Sequence, residues 1–447
     1  MDGAYKPRCE DAVMSVKVGI SSSTSSSGDK QNGDVQKNHS DSAFKNKLGR
    51  GDENEIPETP SDQAQSQKTR LVFLQMTACV LAGIVFGLAL EKSRVFEPES
   101  IRGQMVLRRW IMLKMFLAAV ASGQLFFAIL SLLPWTKAIF QEAADAFVSC
   151  FSEKGFLTSI IGAAFLGAGM TVSGACPGMV LAQVGSWTKN AIFTFIGVLI
   201  GALIYGVAAP WIVKFTRPTS PLESPTVYQK FGISYAAIAI PLSVVIMIAV
   251  FLMEWFIPWR NDLSSDRRNP PGVNILQATS WPPSVAGVLI GLMQILIVLG
   301  VGDTLGGSSS YVTLISQWVV TEKLQKTFPY LAKARTGVGN WWQVIYVCSA
   351  VVGALVSSLS SNTLASTKGV SVGAAIGGGI LLILGARFAA GCTSGHGLSG
   401  VGLLAWLSFI AVPCMFGGGI ATGFAMKATG ALCDWDYHTP TNNTSIC

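Results

Sequence analysis

Charge is what this sequence has least of. Only 13% of its 447 residues are Asp, Glu, Lys or Arg, about half the share of an ordinary soluble domain, while half are hydrophobic. That balance excludes a water-soluble globular protein and places the chain in a membrane. No Lys/Arg-rich block occurs, so the formal net charge of +7 belongs to loops flanking membrane spans, and no nucleic-acid partner is expected. Three histidines, His39, His396 and His438, are too dispersed for a metal site, and there is no CxxC, no P-loop and no dinucleotide fingerprint. Neither a metal nor a cofactor is expected. The N-terminus lacks a short apolar stretch of the signal-peptide kind, so no cleavable signal is expected. Cysteines number nine, but Cys79, Cys176, Cys348, Cys392 and Cys414 sit in apolar or Gly-rich runs, which argues against a disulfide framework. The one pair to consider is Cys433 with Cys447, if that tail faces an oxidising compartment.

What is present is long apolar runs. Residues 1–69 are polar and Ser-rich, with too little apolar surface to offset the entropy of ordering, and read as a disordered tail. From Leu71 to Leu90 the chain carries no charge for 20 residues, enough to cross a roughly 30 Å hydrocarbon layer as a helix. Further spans are expected at Ile111–Leu133, Ala191–Val213, Ser234–Phe256, Ser284–Val301, Trp341–Leu359 and Leu403–Met426. Two more segments, Gly155–Gly185 and Gly373–Gly402, are apolar but interrupted by Gly, Pro and small polar residues.

The interrupted segments recur. "GAGMTVSGACPGMVLAQVG" begins at Gly167 and "GARFAAGCTSGHGLSGVG" at Gly385; their Gly-Ala pairs lie 218 residues apart and their cysteines, Cys176 and Cys392, 216. Neighbouring spans follow nearly the same offset, 213 from Leu71 to Ser284 and 212 from Ala191 to Leu403. The chain is therefore read as duplicated: repeat 1 over 70–214, a linker with an extra span over 215–281, repeat 2 over 282–426 and a polar tail over 427–447. An odd number of spans between the repeats inverts the second, as in many transporters. The expected fold is an all-α integral membrane protein of about nine hydrophobic segments in two inverted repeats, with broken or re-entrant Gly/Cys-rich helices meeting at the centre. Orientation stays open. Lys68 and Arg70 precede the first span, and Lys92, Arg94, Arg102, Arg108 and Arg109 follow it, a nearly balanced positive-inside comparison. Overlapping N-x-S/T triplets at Asn442 and Asn443 favour an external C-terminus and, with the Ser-rich tail, the plasma membrane over an internal one.

Non-helical backbone survives at membrane depth only in contact with protein or a polar cavity, since each unsatisfied amide there costs several kcal/mol. Pro177 removes a donor and turns Cys176 away from helical geometry, with Gly174 and Gly178 flanking the break. Gly391, Gly395 and Gly397 loosen the chain around Cys392, Thr393 and Ser394 in the same way. A helix interrupted in mid-membrane presents free amides at a half-helix N-terminus, worth about half a positive charge and suited to an anion. Ser173, Thr393 and Ser394 add hydroxyls, His396 an imidazole, and Arg387 a fixed charge costing at least about 2.5 kcal/mol in lipid. Each residue also has a plainer reading. Small residues such as Gly377–Gly379 and Gly417–Gly419 let membrane helices pack, His396 and Arg387 can brace the fold, and a membrane cysteine is often inert. The recurrence of cysteine at both breaks favours function, with Cys176 and Cys392 foremost. No carboxylate pair accompanies them, so hydrolytic chemistry is not expected.

These motifs carry a resemblance. "RFAAGCTSGHGLSGVG" resembles the R-x-A-G-G-C-T-S-G-H-G-x-x-G signature of the YeeE/YedE sulphur-transport family, and "GACPGMVLAQVG" is similar to its companion G-x-C-P-G motif, the likeness covering roughly Leu71–Met426. The resemblance implies a transporter, not an enzyme, for a small sulphur oxyanion such as thiosulfate. It also implies an hourglass-like helical fold in which loops of the two halves meet at the waist and Cys176 and Cys392 pass the substrate. Some members have a further cysteine near the entrance; Cys79 and Cys150 are the candidates here. Ala390 departs from the pattern, which has a second glycine there. Two other functions fit the same cysteines: a membrane sulphurtransferase forming a persulfide, and a channel for another small solute such as a selenium compound.

Overall fold

A computed structural model of the protein describes residues 60–149, 155–216, 225–321 and 324–433. The tail 1–59, the Cys433–Cys447 pairing, the triplets at Asn442 and Asn443, and Cys150 lie outside the described residues or depend on residues that do. The chain forms two compact units. The described part of one is Pro60–Val72, a helical run, and the described part of the other begins at Phe73.

The described residues are helical, with one isolated bridge between Thr226 and Ala405. In chain order the helices are α1 (Pro60–Lys92), α2 (Pro98–Met105), α3 (Ile111–Leu132), α4 (Lys137–Ser149), α5 (Phe156–Ser173), α6 (Pro177–Gly185), α7 (Ala191–Thr216), α8 (Val227–Phe231) and α9 (Tyr235–Phe256). There follow α10 (Pro283–Val301), α11 (Ser308–Val319), α12 (Pro329–Arg335), α13 (Val338–Ser360), α14 (Val372–Phe388), a π-helical turn Thr393–Gly400 and α15 (Trp406–Ala428). Among the described residues eight helices are long and apolar enough to cross a membrane, or nine if α14 and the turn after it, bent by 43°, count as one. The chain is an all-α integral membrane protein. Its outward surface agrees: Val244, Val245, Ile248, Phe251 and Leu252 of α9 are exposed, an apolar face that only lipid or protein covers. Trp135, Trp211 and Trp255 are also exposed near helix ends, where interfacial tryptophans stand.

Where the periodic apolar runs are long, helix and expected span agree closely. Two boundaries differ. α1 starts at Pro60, inside the stretch read as tail. The last span starts at Trp406 rather than Leu403, because Leu404 adopts a left-handed φ of 58° and stops the preceding turn. The short helices α2, α4, α8, α11 and α12 were not expected, being too short or too polar to stand out as apolar runs.

The core is built on close contact between the interrupted helices. A Cβ on Gly162 would fall 2.3 Å from the Ala389 amide, on Gly169 2.4 Å from that of Leu382, on Gly378 2.5 Å from that of Ser173, and on Gly385 2.2 Å from that of Leu166. As residue number rises along α5 it falls along α14, so these two equivalent helices run antiparallel. A two-fold relating them lies across the helix direction, the geometry of an inverted repeat. Contacts between the halves come in exchanged pairs: α7 packs on α14 and α15 on α5; α6 packs on α13 and the Thr393–Gly400 turn on α3. The glycine triplets divide. Gly378, Gly379, Gly418 and Gly419 serve close packing, whereas Gly377 and Gly417 face open space.

The charges after the first span behave unlike interfacial lysines and arginines. Lys92, Arg94 and Arg102 are buried. Arg94 lies 3.0 Å from Glu91, both fully buried, and Lys92 Nζ donates to the carbonyls of Ala278 at 2.9 Å and Ser357 at 3.2 Å. The near balance of the positive-inside comparison thus counted residues that work inside the protein.

Candidate functional site

Both cysteines occupy the same structural position, the cap of a half-helix. Cys176 is extended (φ −97°, ψ 165°) directly before Pro177, the first residue of α6. Cys392 is extended (φ −103°, ψ −172°) directly before the Thr393–Gly400 turn. The first break follows from its residues. Gly174 ends α5 with a left-handed φ of 61°, and a Cβ there would also meet Pro98 at 2.5 Å, so only glycine fits on both counts. Pro177 suits the first helical position, where its missing amide has no partner to lose. At the second break Ala390 carries the left-handed φ, 66°, and Gly391 makes room for the His396 ring, 2.8 Å from where a Cβ would lie.

A cavity of about 40 Å³ lies against both breaks, room for a few water molecules. Cys176, Gly178, Thr393 and Ser394 stand in its wall, so the opening turns of the two half-helices, 216 residues apart in sequence, border one space, and the surface they present to it is almost wholly apolar. The remainder is soft and apolar: Met112, Met115, Met179, Phe86, Phe116, Leu90 and their neighbours. The amides of Gly178 and Met179 lie in range of the Cys176 thiol, as does the Thr393 hydroxyl. That hydroxyl is buried and forms no hydrogen bond of acceptable geometry. Cys392, 1% exposed, stands just behind, its Sγ 3.1 Å from Ser394 Oγ and in range of the amides of Gly395 and Gly307 and the Ser308 hydroxyl. The amides at the two half-helix starts thus point toward the thiols and supply positive potential there.

The other residues singled out from the sequence surround this space without lining it. Ser173 Oγ donates to the Gly169 carbonyl at 2.7 Å, within its own helix. His396 is 2% exposed; Nδ1 is 3.1 Å from Ser408 Oγ and Nε2 2.8 Å from the Ala389 carbonyl, a brace behind the second break. The Gly174 carbonyl accepts from Gln183 at 2.8 Å, and that of Pro177 from the Tyr311 hydroxyl at 2.5 Å. Gly395 meets nothing where a Cβ would stand. Arg387 donates from Nη2 to Ser308 Oγ while its Nε is buried without a partner, which puts its charge one side chain away from Cys392.

Three supporting residues escaped the reading of the sequence. Gln183 donates to both Phe96 and Gly174 carbonyls at 2.8 Å and ties the first break to the α1–α2 loop. Arg102 donates to the carbonyls of Thr171 and Val172, the end of α5, at 3.1 and 2.8 Å. Tyr311 holds Pro177. A lone amide inside the apolar run "MVLAQVG" was the available signal for Gln183, since a polar group at membrane depth needs a purpose. Chemically the arrangement offers polarisable sulphur, and among the cavity walls there is no carboxylate or imidazole to abstract a proton.

A comparison with curated proteins finds no match. A comparison with protein families matches residues 92–421 to the family described as sulphur transport. That match spans both breaks, both cysteines and most of the chain, and the protein belongs to the YeeE/YedE family of membrane sulphur transporters.

Proposed function

We propose that the chain takes up thiosulfate, or a closely related sulphur oxyanion, through the constriction where Cys176 and Cys392 cap their half-helices, with the repeats 70–214 and 282–426 as its two halves. The observation that carries this reading is the shared cavity: the first turns of both half-helices, Gly178–Met179 and Thr393–Ser394, wall it together. A dianion there gains from amides, hydroxyls and S–H donors, and neutral thiols avoid the repulsion a thiolate adds. The methionine and phenylalanine walls favour an anion with a soft sulphur end over one presenting only hydrated oxygens. Thiol-to-sulphur contacts are weak, so capture does not prevent release. Arg387, through Ser308, attracts the anion toward Cys392. The plasma membrane is the proposed location, supported by the Ser-rich tail and the triplets at Asn442 and Asn443.

The test is radiolabelled thiosulfate uptake into proteoliposomes. Cys176→Ala and Cys392→Ala proteins that insert and fold normally are expected to lose uptake by more than tenfold; normal rates in both would sink the proposal. Mass spectrometry after thiosulfate exposure addresses the sulphurtransferase reading, for which a stable persulfide on Cys392 is required. Competition by selenium-containing anions in the same assay addresses the wider channel reading.

A further inference from the structure

The two breaks carry no carboxylate, but the loop between α10 and α11 carries one, and that loop folds back into the protein. Just before it, a Cβ on Gly300 would fall 2.8 Å from that of Ala78, inside the span Thr69–Lys92. Leu305 is held from two sides, its amide donating to Gln294 Oε1 at 3.1 Å and its carbonyl accepting from Ser399 Oγ at 2.7 Å. At the far end a Cβ on Gly307 would lie 3.7 Å from Val347 of α13, Ser309 donates to Gln343 on the same helix, and Ser308 accepts from Arg387. These contacts set Asp303 at membrane depth, in a loop pinned to α1, α13 and the turn that follows Cys392.

Asp303 is part-buried, and its Oδ1 accepts from the Thr304 amide at 2.7 Å. Among the described residues no lysine, arginine or histidine pairs with the carboxylate. Cys79 of α1 and the fully buried Trp342 of α13 face it, and Tyr346 stands beside Trp342 with ring centroids 6.3 Å apart. α10 and the Thr393–Gly400 turn bring Gln294 and Ser399 to the loop, neither of which titrates. The Thr304 hydroxyl and Trp342 Nε1 are buried without a hydrogen bond of acceptable geometry. A carboxylate at membrane depth with no cation beside it is costly as an anion and far cheaper as an acid, which is why such residues serve as proton carriers. Asp303 also stands five residues before Ser308, which holds Arg387. Ionised, it opposes an anion arriving at Cys392; protonated, it leaves the Arg387 charge unopposed. We infer that Asp303 couples uptake to protons: its free oxygen, Oδ2, takes up one proton as the anion loads at Cys392 and gives that proton up when the anion leaves. This rests on the thiosulfate-path reading above.

The test is radiolabelled thiosulfate uptake into proteoliposomes with the membrane potential clamped at zero, one pH unit more acid outside, and a trapped pH dye. One proton per anion predicts accumulation about tenfold above equilibrium, abolished by a protonophore, with acidification of the lumen on adding thiosulfate. Asp303→Asn is expected to reach only the equilibrium level and to acidify nothing, while Asp303→Glu keeps both responses. Accumulation by Asp303→Asn equal to that of the parent protein overturns the inference. If Asp303→Asn does not insert, the pH profile of uptake by Asp303→Glu decides: a displaced profile supports the coupling role and an unmoved one overturns it. Parent uptake indifferent to the gradient, while Cys392→Ala abolishes uptake, overturns the inference and leaves the path standing. Undiminished uptake by Cys392→Ala removes the path and the inference with it.

Discussion

Ala390 is an alanine where the family signature has glycine, and its φ of 66° is the reason glycine belongs there. The left-handed conformation costs an L-residue about 1–2 kcal/mol. Glycine escapes that cost but gives back part of it through a more flexible unfolded chain, about 0.4–1 kcal/mol. Ala390→Gly is therefore expected to stabilise the protein by about 0.5–1 kcal/mol, read as a melting temperature about 1–2 °C higher in detergent, with uptake retained. A lower melting temperature would show that the methyl group makes a contact worth more than the strain. Residue by residue, the sequence indicated which positions carry the breaks better than what each side chain does there. Cys176, Thr393 and Ser394 line the cavity, whereas Ser173 and His396 satisfy nearby backbone or hydroxyl groups. Hydroxyls and imidazoles are indifferent between these uses until a rotamer and a neighbour are known.

The interrupted helices owe their position to what is missing from their faces. Gly162, Gly169, Gly378 and Gly385 bring α5 and α14 together with backbone against backbone, the way helices associate where there is no hydrophobic effect to drive them. Gly385→Val places its Cβ 2.2 Å from the Leu166 amide, a backbone atom that cannot turn aside. The expected cost is at or above about 3 kcal/mol, the upper end for overpacking, seen as a loss of monodisperse protein in size-exclusion chromatography. Gly377→Ala on the same helix is the control. It meets nothing within 4 Å and, by relieving a helical glycine, should stabilise by up to about 1 kcal/mol. Equal behaviour of the two variants would contradict this packing. The sequence motif GARF does not distinguish such glycines from idle ones, because the partner backbone lies more than 200 residues away.

The molecule as a whole is closed by buried charge at the end of α1. Glu91 accepts from Ser357 and Thr363 at 2.6 and 3.0 Å and pairs with Arg94 at 3.0 Å. Arg94 Nε donates to the Thr279 carbonyl at 2.6 Å, while Arg267 lies 3.2 Å from Glu97 and bonds Ser366 at 2.8 Å. The network thus joins α1, the segment between α9 and α10, and the end of α13. Glu91→Ala removes the nearer carboxylate from a buried guanidinium and leaves it only Glu97 at 3.7 Å, and a cost of about 3 kcal/mol, the lower end for breaking a buried pair, is expected; a melting temperature equal to that of the parent protein would refute the network's role. In the sequence Arg94 passed for a charge flanking a span, since a list of residues does not say which ends of which helices are covered. Apolar run length, the repeated offset and the Gly, Pro and Cys at each interruption determined by themselves that the chain is helical, membrane-embedded, duplicated and broken twice, because those properties follow from local hydropathy and local backbone freedom. Only the tertiary structure decided that the two breaks share one cavity and that methionine and phenylalanine complete it. Each of those is a contact between residues far apart in the chain, set by how the helices pack and by no single segment.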